Sequence, residues 1–337
     1  MTQSEAALAG GDVALALKSF EQAAAREHAT DIEQGIVRAH MQAGEYRRAL
    51  AFAAHTAGAH GDEVGGAVLY AWLLNAGGQG AFARQLLEGV ERRVPGQAVV
   101  ALALAQLRAP WPRATDALLL GPTRLAPMGV PGAMPPGLHV VGSGVLIDQG
   151  RRALVPADLV ARPEAVWLRD GLGREAQAEV ERRLDPLGLV LLKLASPMPG
   201  AASWRRPPRD AFAGSPVYTL EHAVASSPDP AWPLLRLGFL GAGQGLGIDV
   251  PAGPHGGPVV DAAGRLVGVA LPGSSSTEGA ARVPVSALAE ALGGLLGPVA
   301  ESPPNARLPM DELYELALPL TLQVLTPSRP SPDSSKR

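Results

Sequence analysis

The residues best suited to chemistry lie in one short loop, in which glycine and proline surround a single imidazole: Gly253-Pro254-His255-Gly256-Gly257-Pro258. Glycine and proline are typical of tight turns. Residues 259–269 follow with two apolar runs separated by Ala263-Gly264, a pattern that predicts a β-hairpin directly after the loop. The chain contains no cysteine, which excludes a thiolate nucleophile, a disulfide framework and a thiolate metal site.

The loop resembles the nucleophile loop of trypsin-like serine proteases, including their HtrA-type bacterial branch, where the pattern is Gly-x-Ser-Gly-Gly-Pro. In that family the glycines turn main-chain N–H groups toward the oxyanion, and the serine attacks the carbonyl carbon. His255 stands at the nucleophile position of this chain. The resemblance implies that Gly253, Pro254, Gly256 and Gly257 are what remains of the oxyanion loop.

The other two triad positions can be matched upstream. Residues 142–148 resemble the Gly-Ser-Gly-Val-x-Ile signature of the first barrel, which the family continues with Thr-Asn-x-His-Val-Val. Residues 155–160 are Val-Pro-Ala-Asp-Leu-Val, so Asp158 occupies the position of the general base. Residues 188–194 resemble Asp-Leu-Ala-Val-Leu-Lys-Val, and Gly188 replaces the aspartate that orients the base. The nearest carboxylate, Asp185, comes three residues early.

These substitutions predict a degenerate triad, because loss of the serine or the histidine alone lowers turnover by about 10⁶-fold. The main hypothesis is a catalytically inactive homologue that binds a protein or peptide without cutting it. The alternative is a serine-endopeptidase-like hydrolase whose active site is rebuilt around His255, Asp158 or a bound metal. No cofactor and no metal are expected, and neither His139 nor His222 has a spacing that indicates a role.

A trypsin-like fold also has a geometric implication, since the nucleophile and base positions face each other across its cleft. We therefore expect polar atoms of Asp158 and His255 to lie ~3–5 Å apart. Such an ion pair would lower the pKa of Asp158. Asp249 precedes His255 by six residues, the offset of the aspartate that selects basic side chains in trypsin. It is either a remnant of that pocket or an aspartate in a surface loop.

The first hundred residues contain a different pattern. Segments beginning at Gly11, Gly44 and Gly78 share a turn glycine, a large apolar residue and a small alanine, at intervals of 33 and 34 positions. This spacing resembles tetratricopeptide repeats, which have a period of 34 residues and stack as helix pairs. The resemblance implies protein partners bound in a concave groove, through exposed residues on the first helix of each pair: Arg38, Met41, Tyr70 and Leu73. A generic antiparallel helical bundle is the alternative.

The predicted fold class is therefore multidomain α + β. A tetratricopeptide-like helical domain over residues 1–108 precedes a trypsin-like double β-barrel over residues 137–296. Seven prolines in residues 109–136 predict an extended linker between them. In the last segment, residues 297–337, a proline-rich break precedes a helix predicted over residues 310–325. Residues 326–337 are predicted to be disordered.

Composition and charge argue against nucleic-acid and membrane partners. The chain carries 29 basic and 32 acidic residues, for a net charge of −3, and the charges are scattered, so no nucleic-acid footprint is expected. No uninterrupted apolar stretch approaches the ~20 residues of a membrane span. The first residues lack the basic and apolar regions of a signal peptide. These features predict a cytoplasmic protein of bacterial type.

Overall fold

A computed structural model describes residues 3–109, 134–160, 166–200, 202–224, 230–243, 245–248, 255–272, 280–301 and 306–327. Helices occupy the first part of the described chain, and two six-stranded sheets follow. The predicted fold class, a helical domain followed by β-barrels, is confirmed. Most of the predicted linker, residues 110–133, lies outside the described residues.

The helical part consists of α1 (Gln3–Ala9), α2 (Val13–Ala24), α3 (Thr30–Gln42), α4 (Tyr46–Ala59), α5 (Val64–Ala76), α6 (Gly80–Arg93) and α7 (Ala98–Leu107). Alanine and leucine favour helix throughout, and Asp12 caps α2 by accepting a hydrogen bond from the Leu15 N–H at 3.0 Å. Gly44 and Gly78 follow α3 and α5 with φ angles of 80° and 85°, which glycine adopts readily and which reverse the chain. None of the helices described is long and apolar enough to cross a membrane.

The first sheet is a closed barrel. Its strands are β1 (Leu138–Ile147), β2 (Arg152–Pro156), β3 (Val166–Asp170), β4 (Glu175–Leu184), β5 (Leu189–Leu194) and β12 (Thr321–Pro327), in the order β1-β12-β3-β4-β5-β2. All neighbours pair antiparallel. The apolar faces of β1, β2 and β5 are almost wholly buried in the interior of the barrel.

The second sheet is also nearly closed. It contains β6 (Pro216–Glu221), β7 (Leu234–Leu240), β8 (Leu246–Gly247), β9 (Pro258–Asp261), β10 (Leu266–Leu271) and β11 (Ala281–Pro284), in the order β11-β10-β9-β6-β7-β8. An antiparallel bridge between Gly245 and Ala281 joins its two edges. The hairpin predicted after the His255 loop is confirmed as β9 and β10. Helix α8 (Val285–Leu292) follows β11.

The predicted C-terminal helix over residues 310–325 is wrong in its second half. Helix α9 spans Met310–Ala317, a 3₁₀ turn follows at Leu318–Leu320, and the chain then continues as β12. Pro319 explains the break, because proline lacks an N–H and its ring clashes with the preceding helical turn. Strand β12 lies between β1 and β3, so the first barrel includes residues beyond the range 137–296 assigned to it from the sequence.

The helical part packs directly on the barrels. The ring centroids of Tyr46 and Tyr314 are 4.4 Å apart, and neither side chain is exposed. The Arg47 N–H donates to a carboxylate oxygen of Glu315 at 2.8 Å. One continuous cluster of buried apolar side chains extends from α3–α7 into both barrels. The two parts therefore share a core, and burial of this apolar surface stabilises their contact.

Candidate functional site

The first side of the candidate site is the turn after β2. The Ala157 N–H donates to the Gly188 carbonyl at 2.9 Å, and the Leu159 N–H donates to the Pro156 carbonyl at 3.2 Å. Gly188 ends the 3₁₀ turn Asp185–Leu187 with a φ of 62°. These bonds place Gly188 beside the residue that precedes Asp158, as the matched base and orienting positions require, but Gly188 brings no carboxylate.

The second side is the loop that enters β9. The carbonyl of His255 accepts a hydrogen bond from the Ser143 N–H of β1 at 2.9 Å, and the Gly256 N–H donates to the Ala270 carbonyl of β10 at 2.9 Å. A Cβ atom at Gly256 would lie 2.2 Å from the Ser143 carbonyl oxygen, and Gly256 has a φ of 103°. Glycine is therefore required where the loop passes between the two barrels.

The two sides meet through the side chains of His255 and Asp158. Nε2 of His255 lies 3.0 Å from Oδ2 and 3.3 Å from Oδ1 of Asp158, so the predicted proximity is confirmed. The hydrogen bond to His255 holds the pKa of Asp158 below its ordinary value, although partial burial opposes this shift. The His255 side chain is 10% exposed and the Asp158 side chain 61% exposed, so the pair lies at the mouth of the cleft with its imidazole inside.

The resulting arrangement joins the turn after β2 to the loop that enters β9, because the imidazole of His255 contacts the carboxylate of Asp158 through Nε2. Within the described chain the pair does not belong to any group of three side chains close enough to ligate one metal ion. The metal-assisted alternative therefore gains no support from this cleft.

No protein-family model matches this chain, and no curated protein matches it significantly. Among solved structures it is similar to the protease domain of MamO from Magnetospirillum magneticum, at 19% identity and a TM-score of 0.34 over 47% of this chain and 96% of that one. A variant of the HtrA-type protease AlgW with a tripeptide matches at 20% identity and a TM-score of 0.37, over 47% and 58%. Deg5 matches at 16% identity and a TM-score of 0.35, over 46% and 86%. The order and pairing of its own strands establish the fold of this chain.

The sequence patterns assign no role to two ionisable residues directly behind the loop, Glu221 and His222. Both are fully buried, and the His222 N–H donates to Oγ of Ser143 at 2.8 Å. Burial raises the pKa of Glu221 to about 8, partly offset by the charge of Arg236. Burial likewise lowers the pKa of His222 to about 3. The only available signal was their position at the end of a strand, and burial shifts the pKa of each side chain in the direction that favours its neutral form.

Part of the predicted oxyanion loop and the predicted pocket residue are outside the described residues, namely Gly253, Pro254 and Asp249. Gly257 is described, and a Cβ atom there would lie 2.0 Å from the Leu220 carbonyl oxygen. Close backbone packing between the loop and β6 therefore requires glycine at this position, independently of any catalytic role.

The partner-binding residues predicted on the helices are mostly buried. Arg38, Met41 and Leu73 are at most 1% exposed, so the prediction that they contact a partner is wrong for these three. Helix α1 covers Arg38, whose guanidinium pairs with the carboxylate of Glu5, and Met41 and Leu73 lie in the core shared with the barrels. Tyr70 is partly exposed and remains a prediction.

Proposed function

We propose that this protein is a catalytically inactive homologue of the trypsin-like serine proteases that acts as a protein- or peptide-binding adaptor. The observation that carries the proposal is the 3.0 Å contact between His255 and Asp158. Acyl transfer by this class needs a hydroxyl or thiol nucleophile, with a base placed to take its proton. An imidazole at the nucleophile position, engaged by a carboxylate at the base position, supplies no hydroxyl or thiol.

A further feature of the same cleft supports inactivity. Gly188 supplies no side chain to orient a base, and the exposed Asp185 lies three positions away. Gly256 and Gly257 serve the close packing of the loop against its neighbouring strands, a role that needs no nucleophile.

Binding surface remains available on the second barrel. Phe212 is 74% exposed and borders a groove of about 640 Å³. Arg265 and Asp261 form an ion pair in its wall. This pairing leaves Arg209 and Arg307 as the cationic side chains of the lining, against the single carboxylate of Asp210. An exposed aromatic ring beside cationic side chains is suited to a peptide with apolar and acidic residues. The helix pairs, with their tetratricopeptide-like spacing, are the proposed second binding element, through outer faces that the barrels leave open.

Labelling with a fluorophosphonate probe tests the catalytic half of this proposal. The full-length protein should show neither covalent labelling nor casein cleavage, while an active trypsin-like protease serves as the positive control. His255→Ser restores a hydroxyl but leaves a carboxylate instead of an imidazole at the base position, and it should also stay unlabelled. Specific labelling of the unmodified protein that disappears on heat denaturation would refute inactivity.

A peptide array tests the binding half. Full-length protein should retain a subset of acidic, apolar peptides, and Phe212→Ala should lose that subset. Phe82→Ala is the matched control, because Phe82 is also exposed, at 49%, but lies on helix α6 away from the groove. Equal binding by both variants, or no binding by the unmodified protein, would contradict the assignment of this groove.

A further inference from the structure

Three histidines and one glutamate converge in the helical part, far from the cleft in sequence. His28 lies in the connection between α2 and α3, and Glu33 lies in the first turn of α3. His55 is on α4, and His60 is the residue that ends it. Because α3 and α4 are antiparallel, the beginning of α3 lies beside the end of α4, which brings the four side chains together.

The distances between their donor atoms are close to those of a metal site. Nε2 of His28 lies 2.6 Å from one carboxylate oxygen of Glu33, and Nε2 of His60 lies 3.5 Å from the other. Ligand atoms of His28, Glu33 and His55 are all within 4.8 Å of one another. Ligands of a tetrahedral zinc ion, at bond lengths of about 2.0–2.1 Å, are separated by roughly 3.3 Å. The imidazole of His28 must therefore move away from the Glu33 oxygen that it now contacts at 2.6 Å, and both His28 and His55 are exposed side chains.

A second observation comes from the buried half of the cluster. The Glu33 side chain is only 2% exposed, and the His60 side chain 12%. Oε2 of Glu33 and Nε2 of His60 lie 3.5 Å apart and form no hydrogen bond with each other or with another described residue. A buried carboxylate oxygen normally has a donor or a cation to compensate for lost water. Both atoms belong to the cluster, and a cation bound there would supply the partner that they lack.

We propose that His28, Glu33, His55 and His60 bind one Zn²⁺ ion. Imidazole nitrogens with one carboxylate oxygen are ligands that zinc accepts in tetrahedral geometry, and the chain has no thiolate to compete for the ion. His28 is 59% exposed, so the ion can enter from solvent without disturbing the helices. The bound ion ties the connection between α2 and α3 to the end of α4 and stabilises the first two helix pairs against each other.

Calorimetric titration of the full-length protein with ZnCl₂, without an affinity tag, tests the proposal. His28→Gln and His55→Gln remove exposed ligands, so both variants should remain folded. His40→Gln is the matched control, because His40 lies on the same helical part but pairs with Glu45, outside the cluster. The unfolding midpoint is measured in parallel, with zinc and with zinc plus excess chelator.

We expect one equivalent of zinc to bind the unmodified protein and the control equally. Each ligand variant should bind at least ~100-fold more weakly, since loss of a mere outer-shell partner already costs about 10–100-fold. Zinc should raise the unfolding midpoint of the unmodified protein and the control by a few degrees, and chelator should reverse the shift. Absence of stoichiometric binding would overturn the proposal, since hydrogen-bonded imidazole–carboxylate pairs would then account for the cluster. Equal affinity in His28→Gln and His40→Gln would overturn it as well.

Discussion

Replacing Glu221 by glutamine should stabilise the protein at neutral and alkaline pH. The carboxyl group is fully buried, and neither oxygen has a hydrogen-bond partner among the described residues. Desolvation raises its pKa to about 8, and the nearby charge of Arg236 only partly opposes this. Glutamine has nearly the same shape and no ionisable proton, so the substitution removes the titration while it preserves the packing.

The sign and size of the effect follow from proton linkage. Between pH 4.5 and pH 8 the unfolded chain has released this proton and the folded chain retains it, so stability falls as pH rises. Each pH unit in that window removes about 1.4 kcal/mol. Glu221→Gln should therefore be about 3 kcal/mol more stable than the unmodified protein at pH 7, and the two should be equal near pH 4.

Urea unfolding, followed by tryptophan fluorescence at several pH values between 4 and 8, measures this difference. His222 has to be considered, because its pKa is lowered to about 3. Burial of neutral His222 contributes its full stability above pH 6.5, the ordinary pKa of histidine, and this contribution is lost as the pH falls from 6.5 toward the folded-state pKa of about 3. The pH dependence is therefore opposite in sign to that of Glu221. Both proteins contain His222, so its effect cancels when the variant is compared with the unmodified chain. Identical pH profiles for the two proteins would show that Glu221 is ionised or solvated in the fold and would refute the reasoning.

Two further substitutions test the candidate site. Asp158→Asn should lower the free energy of unfolding by about 1 kcal/mol or less at pH 7, since the carboxylate is largely exposed. This loss should vanish as the pH falls through the lowered pKa of Asp158, and a difference in urea midpoint that does not depend on pH would contradict the prediction. Gly256→Ala should cost more than about 2 kcal/mol, because its backbone is left-handed and its Cβ would meet the Ser143 carbonyl. Gly294→Ala is the control, because no atom lies within 4 Å of the new Cβ, and it should change the free energy of unfolding by less than about 0.5 kcal/mol. Similar losses of stability in both variants would show that the Gly256 loop has room to move.

The sequence was most informative where local patterns determine structure. Alternating and continuous apolar runs located strands such as Leu138–Ile147, and turn glycines located the helix pairs. The contact of Asp158 with His255 was predictable because three separate segments matched one family pattern, and that pattern fixes which positions face each other. No calculation from spacing alone could have joined positions 97 residues apart.

The failures have a different physical origin. Periodicity over residues 310–325 suggested one helix, but it could not show that β1 and β3 would leave a gap for a strand between them. Exposure of Arg38, Met41 and Leu73 was inferred from the repeat pattern without knowing that α1 and the barrels cover those faces. The burial of Glu221 and His222 likewise depends on packing between elements distant in sequence.

The position of β12 has a consequence for the order in which the protein can fold during synthesis. Strand β1 pairs with β12 along almost its whole length, from Leu138 with Pro327 to Val145 with Thr321. When β1 leaves the ribosome, its main partner has not been translated, and the edges of β1 and β3 stay open until residue 327 emerges. The helical part, with its local contacts, can form in the meantime. A nascent chain stalled before β12 would expose two unpaired strand edges, which are templates for aggregation.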